Sequence, residues 1–138
     1  MHNVRRFIFL LVCSLLLASS VATAQPKFSA FYDRFKQAVA EKDSTTLQQM
    51  MSPRFDFLLT ANVPPSTVFT ALDSNNGQLW TNLQTSIQQA TPVLDEYAEQ
   101  PAQILWCTPT ETIYNCYVVF QKNKSGQWRW RGFVMPQK

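Results

Sequence analysis

A change of hydrophobic period part-way along the chain limits its folds more than any other feature. From Phe28 to Val39 the apolar residues Phe28, Phe31, Phe35, Ala38 and Val39 recur at three- and four-residue steps, with Asp33, Arg34, Lys36 and Gln37 on the other side. That spacing predicts an amphipathic helix. The last third alternates instead, and reads as strands over Ile104–Cys107, Ile113–Gln121 and Trp128–Met135. Asn123, Lys124, Ser125 and Gly126 supply the glycine-bearing loop of an antiparallel hairpin between the last two. Helices first and a strand meander last predict an α+β domain with helices on one face of a sheet.

Between these ends the punctuation is local. Lys42 and Asp43 interrupt the first helix, and Ser44 is the expected cap of a short second one carrying Leu47, Met50 and Met51 before Ser52 and Pro53. Phe55, Phe57 and Leu59 suit a short strand, and Pro64, Pro65 and Ser66 a turn before a helix over Thr67–Leu72. Asp73–Gly77 reads as a loop. Leu79, Trp80, Leu83 and Ile87 mark one face of another helix, and Val93–Ala98 reads either as a strand or as an irregular edge. Apolar residues on both faces of the Ile113–Gln121 strand predict a central strand covered on both sides.

The first 24 residues read as a secretory leader. His2, Arg5 and Arg6 precede an apolar run from Phe7 to Leu17, and small residues lead to Ala22 and Ala24. The expected cut falls between Ala24 and Gln25, so residues 1–24 leave and residues 25–138 form one domain. A spanning helix needs about 20 apolar residues; this run is shorter and contains Ser14, so no stable membrane anchor is expected after cleavage. The mature protein is expected in the periplasm or the external medium.

Removing the leader takes Arg5 and Arg6 with it, so the formal charge of +3 falls to +1. A nucleic-acid partner calls for a strong basic stripe, and none is expected here. The only histidine is His2, inside the leader. Histidine triads and the usual imidazole metal ligands are thereby excluded from the mature chain, and no metal or cofactor is expected. Aromatic residues are abundant, enough to fill a core or line an apolar pocket.

Several constellations can carry chemistry. With Cys13 gone, Cys107 and Cys116 remain, and a hairpin centred on Glu111 and Thr112 sets them opposite each other. They form either a disulfide, which export permits, or two buried thiols. Asp95, Glu96 and Glu99 flank Tyr97, and can act as acid and base or simply face water. Asp56 lies among Phe55, Phe57 and Leu58, where it is either desolvated or pointed outward by strand alternation. Trp128 and Trp130 alternate with Arg129 and Arg131, which gives either a surface for an anionic or sugar-like ligand, or core indoles with solvated arginines.

The run Phe31, Phe35, Lys36, Ala38, Val39, Lys42, Asp43, Leu47, Met50, Met51, Ser52, Phe55, together with Gly126, Gln127, Trp128, Trp130, Phe133 and Val134 near the end, resembles the nuclear-transport-factor-two superfamily. The resemblance implies a strongly curved antiparallel sheet wrapped around N-terminal helices, a cystatin-like cone with an apolar pocket. The superfamily holds isomerases, dehydratases and cyclases beside many non-catalytic binding domains, so the fold does not fix an activity. Its isomerases place a phenol where this chain has Phe35 and a general base where it has Leu59, and its scytalone-type dehydratases need histidine. The reading is therefore the non-catalytic branch: an exported binding domain whose aromatic-lined pocket, framed by Trp80, Trp106, Tyr117 and Trp130, takes an apolar small molecule or a protein. The alternatives are a carboxylate enzyme built on Asp56 and a tyrosine, or an inhibitor of an external enzyme, marked by an exposed aromatic patch.

Overall fold

The computed structural model describes residues 27–107 and 116–135. The expected leader, its cut between Ala24 and Gln25, and the turn at Glu111 and Thr112 lie outside the described residues.

Among the described residues, four helices and a five-stranded open sheet make an α+β fold. Helix α1 (Phe28–Ala40) buries Tyr32, Phe35, Ala38 and Val39 along one face. It stops at Lys42, whose backbone is left-handed (φ 51°). The Lys42 amide donates to the Val39 carbonyl and the Asp43 amide to that of Ala38, which closes the last turn in a Schellman arrangement. Asp43, rather than Ser44, then caps α2 (Ser44–Met50): its carboxylate accepts from the Thr46 amide at 3.0 Å and from the Thr46 hydroxyl at 2.6 Å. The cap lies one residue earlier than expected because from there a side chain reaches the amide of the third helical residue, Thr46. The Thr46 hydroxyl, then its amide, hold the Asp43 carboxyl below the ordinary carboxylate range.

Strand β1 (Met51–Leu58) follows at once, then α3 (Pro65–Asp73), a single 3-10 turn at Asn75–Gly77 and α4 (Gln78–Gln89). Helix α3 begins two residues before Thr67, since Pro65 fits the first helical turn, where an amide has no partner to lose. Asn75, Asn76 and Gly77 all take left-handed φ angles, which glycine and asparagine tolerate best. Across that turn Asp73 accepts from the Trp80 indole at 2.8 Å and ties α3 to α4. The meander then runs β2 (Val93–Leu94), β3 (Ala102–Trp106), β4 (Tyr117–Lys122) and β5 (Trp128–Val134). Of the expected Val93–Ala98 segment only Val93 and Leu94 are strand; the Asp95 amide still donates to the Ala102 carbonyl, and its carboxylate accepts from the Tyr97 amide as the chain turns away.

The strand order is β1-β5-β4-β3-β2, and β1 runs parallel to β5. The sheet is thus mixed, which corrects the expectation of a wholly antiparallel one. Alternation in a sequence reports which face a residue takes, not the direction of the neighbouring strand. Strand β1 arrives from α2 and leaves through α3, so it meets β5 at the sheet edge without a hairpin to set its sense. Pro53 sits in this edge strand, where a missing amide is tolerated.

Strand β5 carries one extra residue. Val119 pairs with Gly132 and Phe120 with Trp130, so Arg131 occupies a bulge. The bulge lets Trp130 and Phe133, three residues apart, both enter the core. It also sends Arg131 towards Asp56, the Gly132 partner on β1, with Nη1 3.1 Å from Oδ2. The angle of that ion pair is not that of a hydrogen bond, so the buried nitrogen has no hydrogen-bond partner.

Leu105, Val118, Phe120, Trp130 and Phe133 join the buried faces of the helices in one core. Phe35 meets Phe120 and Trp130 edge-on at 4.9 and 5.2 Å, and Phe55 meets Trp130 at 4.7 Å. The opposite face of β4 is not covered as expected. Tyr117 and Val119 are half-buried there, because the helical residues of the core gather with Val118 and Phe120.

Gly132 is placed by space. A Cβ at this position lies 3.0 Å from the Asp56 carbonyl oxygen and 3.3 Å from Val134 Cγ2, so the β1 backbone must give by a few tenths of an ångström to admit a larger residue. Gly132→Ala is expected to lower unfolding free energy by about 1–2 kcal/mol, overpacking outweighing the entropy gained by removing a glycine. A denaturation midpoint at or above that of the parent refutes this.

Candidate functional site

The side chains that converge on a cleft come from α1, the end of α2 and the start of β5. Ala30, Phe31, Arg34, Met50, Gln127, Trp128 and Arg129 line a cleft of about 300 Å3. Phe31 and Arg34 are three residues apart on α1 and share a side of it. Trp128 meets Phe28 edge-on at 4.8 Å, and Lys122 Nζ stands 5.5 Å from the centre of its ring. The cleft therefore has aromatic and thioether walls with guanidinium groups at its rim.

Those polar groups are held in place. Arg129 Nη1 donates to the Gln49 carbonyl at 3.0 Å and Nη2 to Gln127 Oε1 at 3.0 Å. Arg34 Nη2 donates to Gln49 Oε1 at 3.4 Å. Gln127 is positioned by the hairpin: its amide donates to Asn123 Oδ1 and its carbonyl accepts from the Asn123 amide, while Gly126 takes the left-handed position (φ 78°). Each acceptor is a neutral amide oxygen, and neither guanidinium is paired with a carboxylate among the described residues.

The four aromatics expected to frame a pocket are not gathered around one cavity. Trp80 is 2% exposed and stacks near Phe69; Trp130 is fully buried, with its indole nitrogen donating to the Gly132 carbonyl at 3.1 Å. Trp106 is 50% exposed and pairs across the sheet with Tyr117 at 5.2 Å between rings, on the face away from the core. Strand parity separates them: Leu105 and Cys107 point into the core, so Trp106 between them points out. Tyr117 lines a shallow groove of about 270 Å3 beside Asp56, Leu58 and Val134.

The remaining candidates separate clearly. Cys107 and Cys116 form a disulfide with Cα atoms 5.1 Å apart, directly opposite across β3 and β4 as the hairpin register implied. Asp56 is partly exposed, paired with Arg131 and accepting from the Asn62 amide at 3.3 Å. Tyr97 is 97% exposed beside Asp95 and Glu96. Phe35 is buried and Leu59 exposed, so these two side chains do not meet in one enclosed site. Among the described residues no group of three His, Cys, Asp or Glu side chains is placed to hold a metal ion, and no helix is long and apolar enough to cross a membrane.

Sequence reasoning missed Tyr32, one turn before Phe35 on the same face of α1. Its ring stacks on Phe28 at 5.6 Å and meets Phe120 edge-on at 5.6 Å, and Lys36 Nζ lies 5.1 Å from its centre. The hydroxyl is buried without a hydrogen-bond partner, and burial pushes its pKa up to about 12. A buried orphan hydroxyl costs about 1–3 kcal/mol. Tyr32→Phe keeps the ring and the cation contact, and is expected to raise stability by about 1 kcal/mol in urea denaturation. A loss of stability shows instead that the hydroxyl is satisfied.

No protein-family model matches the chain, and a search of curated proteins returns no match.

Proposed function

We propose that this chain is an exported, non-enzymatic binding domain that takes a small molecule with an apolar body in the cleft between α1 and β5. The observation that carries the reading is the pairing of Phe31, Met50 and Trp128 walls with anchored polar groups at one opening, the composition expected of a ligand site. The disulfide supports export, because such bonds persist in oxidising compartments. Two helices ahead of the first strand, with an Asp43-capped break between them, support membership of the nuclear-transport-factor-two superfamily. The carboxylate-enzyme alternative has less behind it, since Asp56 is paired with Arg131 in a partly open position.

Fluorescence titration with the neutral dye Nile red tests the cleft. Saturable binding that weakens at least about tenfold in Trp128→Ala, a lost aromatic contact of at least 1.4 kcal/mol, supports the reading. Binding that ignores Trp128, with the fold intact by circular dichroism, removes it.

A second reading, protein contact, is favoured by the outer sheet face. Val93 and Ile104 pair there, beside Trp106 and Tyr117, and Val93 and Trp106 are each half exposed. Contiguous exposed apolar residues of this kind mark contact surfaces. Trp106→Ser abolishing capture of a protein partner, with Nile red binding unchanged, moves the function to that face.

A further inference from the structure

Beyond the expected leader the chain has four arginines, Arg34, Arg54, Arg129 and Arg131. Every one of them lines the α1–β5 cleft or a neighbouring cleft of about 200 Å3, which Lys122 also borders. Arg129 lines both, so the two clefts adjoin at this residue. A chain whose mature charge is near neutral has thus concentrated its only planar, permanently charged donors at one place. Five cations stand there against a single paired carboxylate, Asp56 on Arg131. Arg34 and Arg129 bond to neutral amide oxygens, Lys122 lies over the Trp128 ring, and Arg54 has no ion-pair or hydrogen-bond partner among the described residues.

Such crowding of like charge opposes folding unless something answers it, and it draws anions from solution. The choice of arginine matters. A guanidinium presents paired N–H donors that fit the oxygens of carboxylate, phosphate or sulfate two at a time, whereas lysine acts as a point charge. Arg129 is already fixed by two hydrogen bonds, and Arg131 is set by its bulge, so little freedom is lost when an oxyanion arrives.

We infer that the two clefts form one groove, joined at Arg129, that binds a small polyanion carrying at least two oxyanion groups, one against Arg34 and Arg129 and the other against Arg54 and Arg131. The inference rests on the binding reading above, because Arg34, Arg129 and Trp128 belong to the same cleft, and it adds the chemical class of the ligand.

Calorimetric titration at low ionic strength tests it with two probes, tripolyphosphate and tri-galacturonate, which separate a phosphate source from a sugar-acid source. Binding of either supports the groove and names its oxyanion. Arg34→Gln and Arg54→Gln, both at exposed positions, are each expected to weaken binding by about tenfold or more, the loss of one charge-assisted contact. Lys36→Gln/Lys42→Gln removes two charges outside the groove and is expected to leave affinity within about twofold, as screened distant charges should. No binding of either probe, an equal loss in the lysine control, or weakening by only one of the two arginine variants overturns the joined groove. Nile red still bound through Trp128 in that event leaves the binding reading standing; loss of both removes the two together.

Discussion

Trp130→Ala is expected to lower unfolding free energy by about 3–5 kcal/mol, the largest effect of any single substitution proposed for this domain. The indole is fully buried and meets the rings of Phe35 and Phe55 edge-on. Its nitrogen donates to the Gly132 carbonyl, within the short stretch that also holds the β5 bulge. Truncation therefore leaves a cavity bounded by rigid rings, which cannot close around it, and strips a donor from the backbone beside the β1 contact. Trp130→Phe refills most of the space and is expected to cost about 1–2 kcal/mol, for the smaller ring and the lost hydrogen bond. Trp106→Ala provides the contrast, because half of that side chain already faces solvent; a change below about 1 kcal/mol is expected. Urea midpoints of the three variants measure the difference. If Trp106→Ala proves as costly as Trp130→Ala, the assignment of core and outer sheet faces is wrong.

That contrast also shows where sequence reading reached and where it stopped. Period alone placed α1 and α4 to within two residues, and strand β5 to within one, since each buries one face and the pattern is written by water. The opposition of Cys107 and Cys116 was legible for a related reason: strand pairing fixes a constant sum of positions, and one assumed centre sets every other pair. What failed required knowledge of partners. The parallel sense of β1 beside β5 leaves no mark on alternation. The spacing of Trp130 and Phe133 did carry a signal of the bulge, since two core residues three apart on a strand need an extra residue between them. For the site, residue size was a poor guide. Trp80 and Trp130 are large because the core needs filling, whereas the cleft uses Phe31 and Trp128 at the core margin. Arg129 and Arg131 were visible as one face of a strand, but the clefts in which Arg129 joins Arg34, and both join Arg54, bring together segments far apart in the chain, which no local pattern reports.

Removing the disulfide is expected to cost about 2–3 kcal/mol, the chain entropy released when a closed loop of about ten residues opens in the unfolded state. The bond joins residues nine apart in sequence at the end of the β3–β4 pair. Both cysteines are buried and belong to the core cluster, and the Cys107 amide donates to the Cys116 carbonyl. The folded pair thus keeps its backbone pairing when the sulfurs part, and the destabilisation acts mainly on the unfolded ensemble. Cys107→Ala/Cys116→Ala is the better probe than serine, which adds two buried hydroxyls needing partners. The double variant and the reduced parent should share one lowered urea midpoint, and the oxidised parent should lie above both. Reductant should not move the midpoint of the variant at all. A parent midpoint indifferent to reductant, or two alkylatable thiols in the non-reduced protein, means that the pair is not bridged; Cys107 and Cys116 are then core-filling thiols, and the chemical support for export goes with the bond.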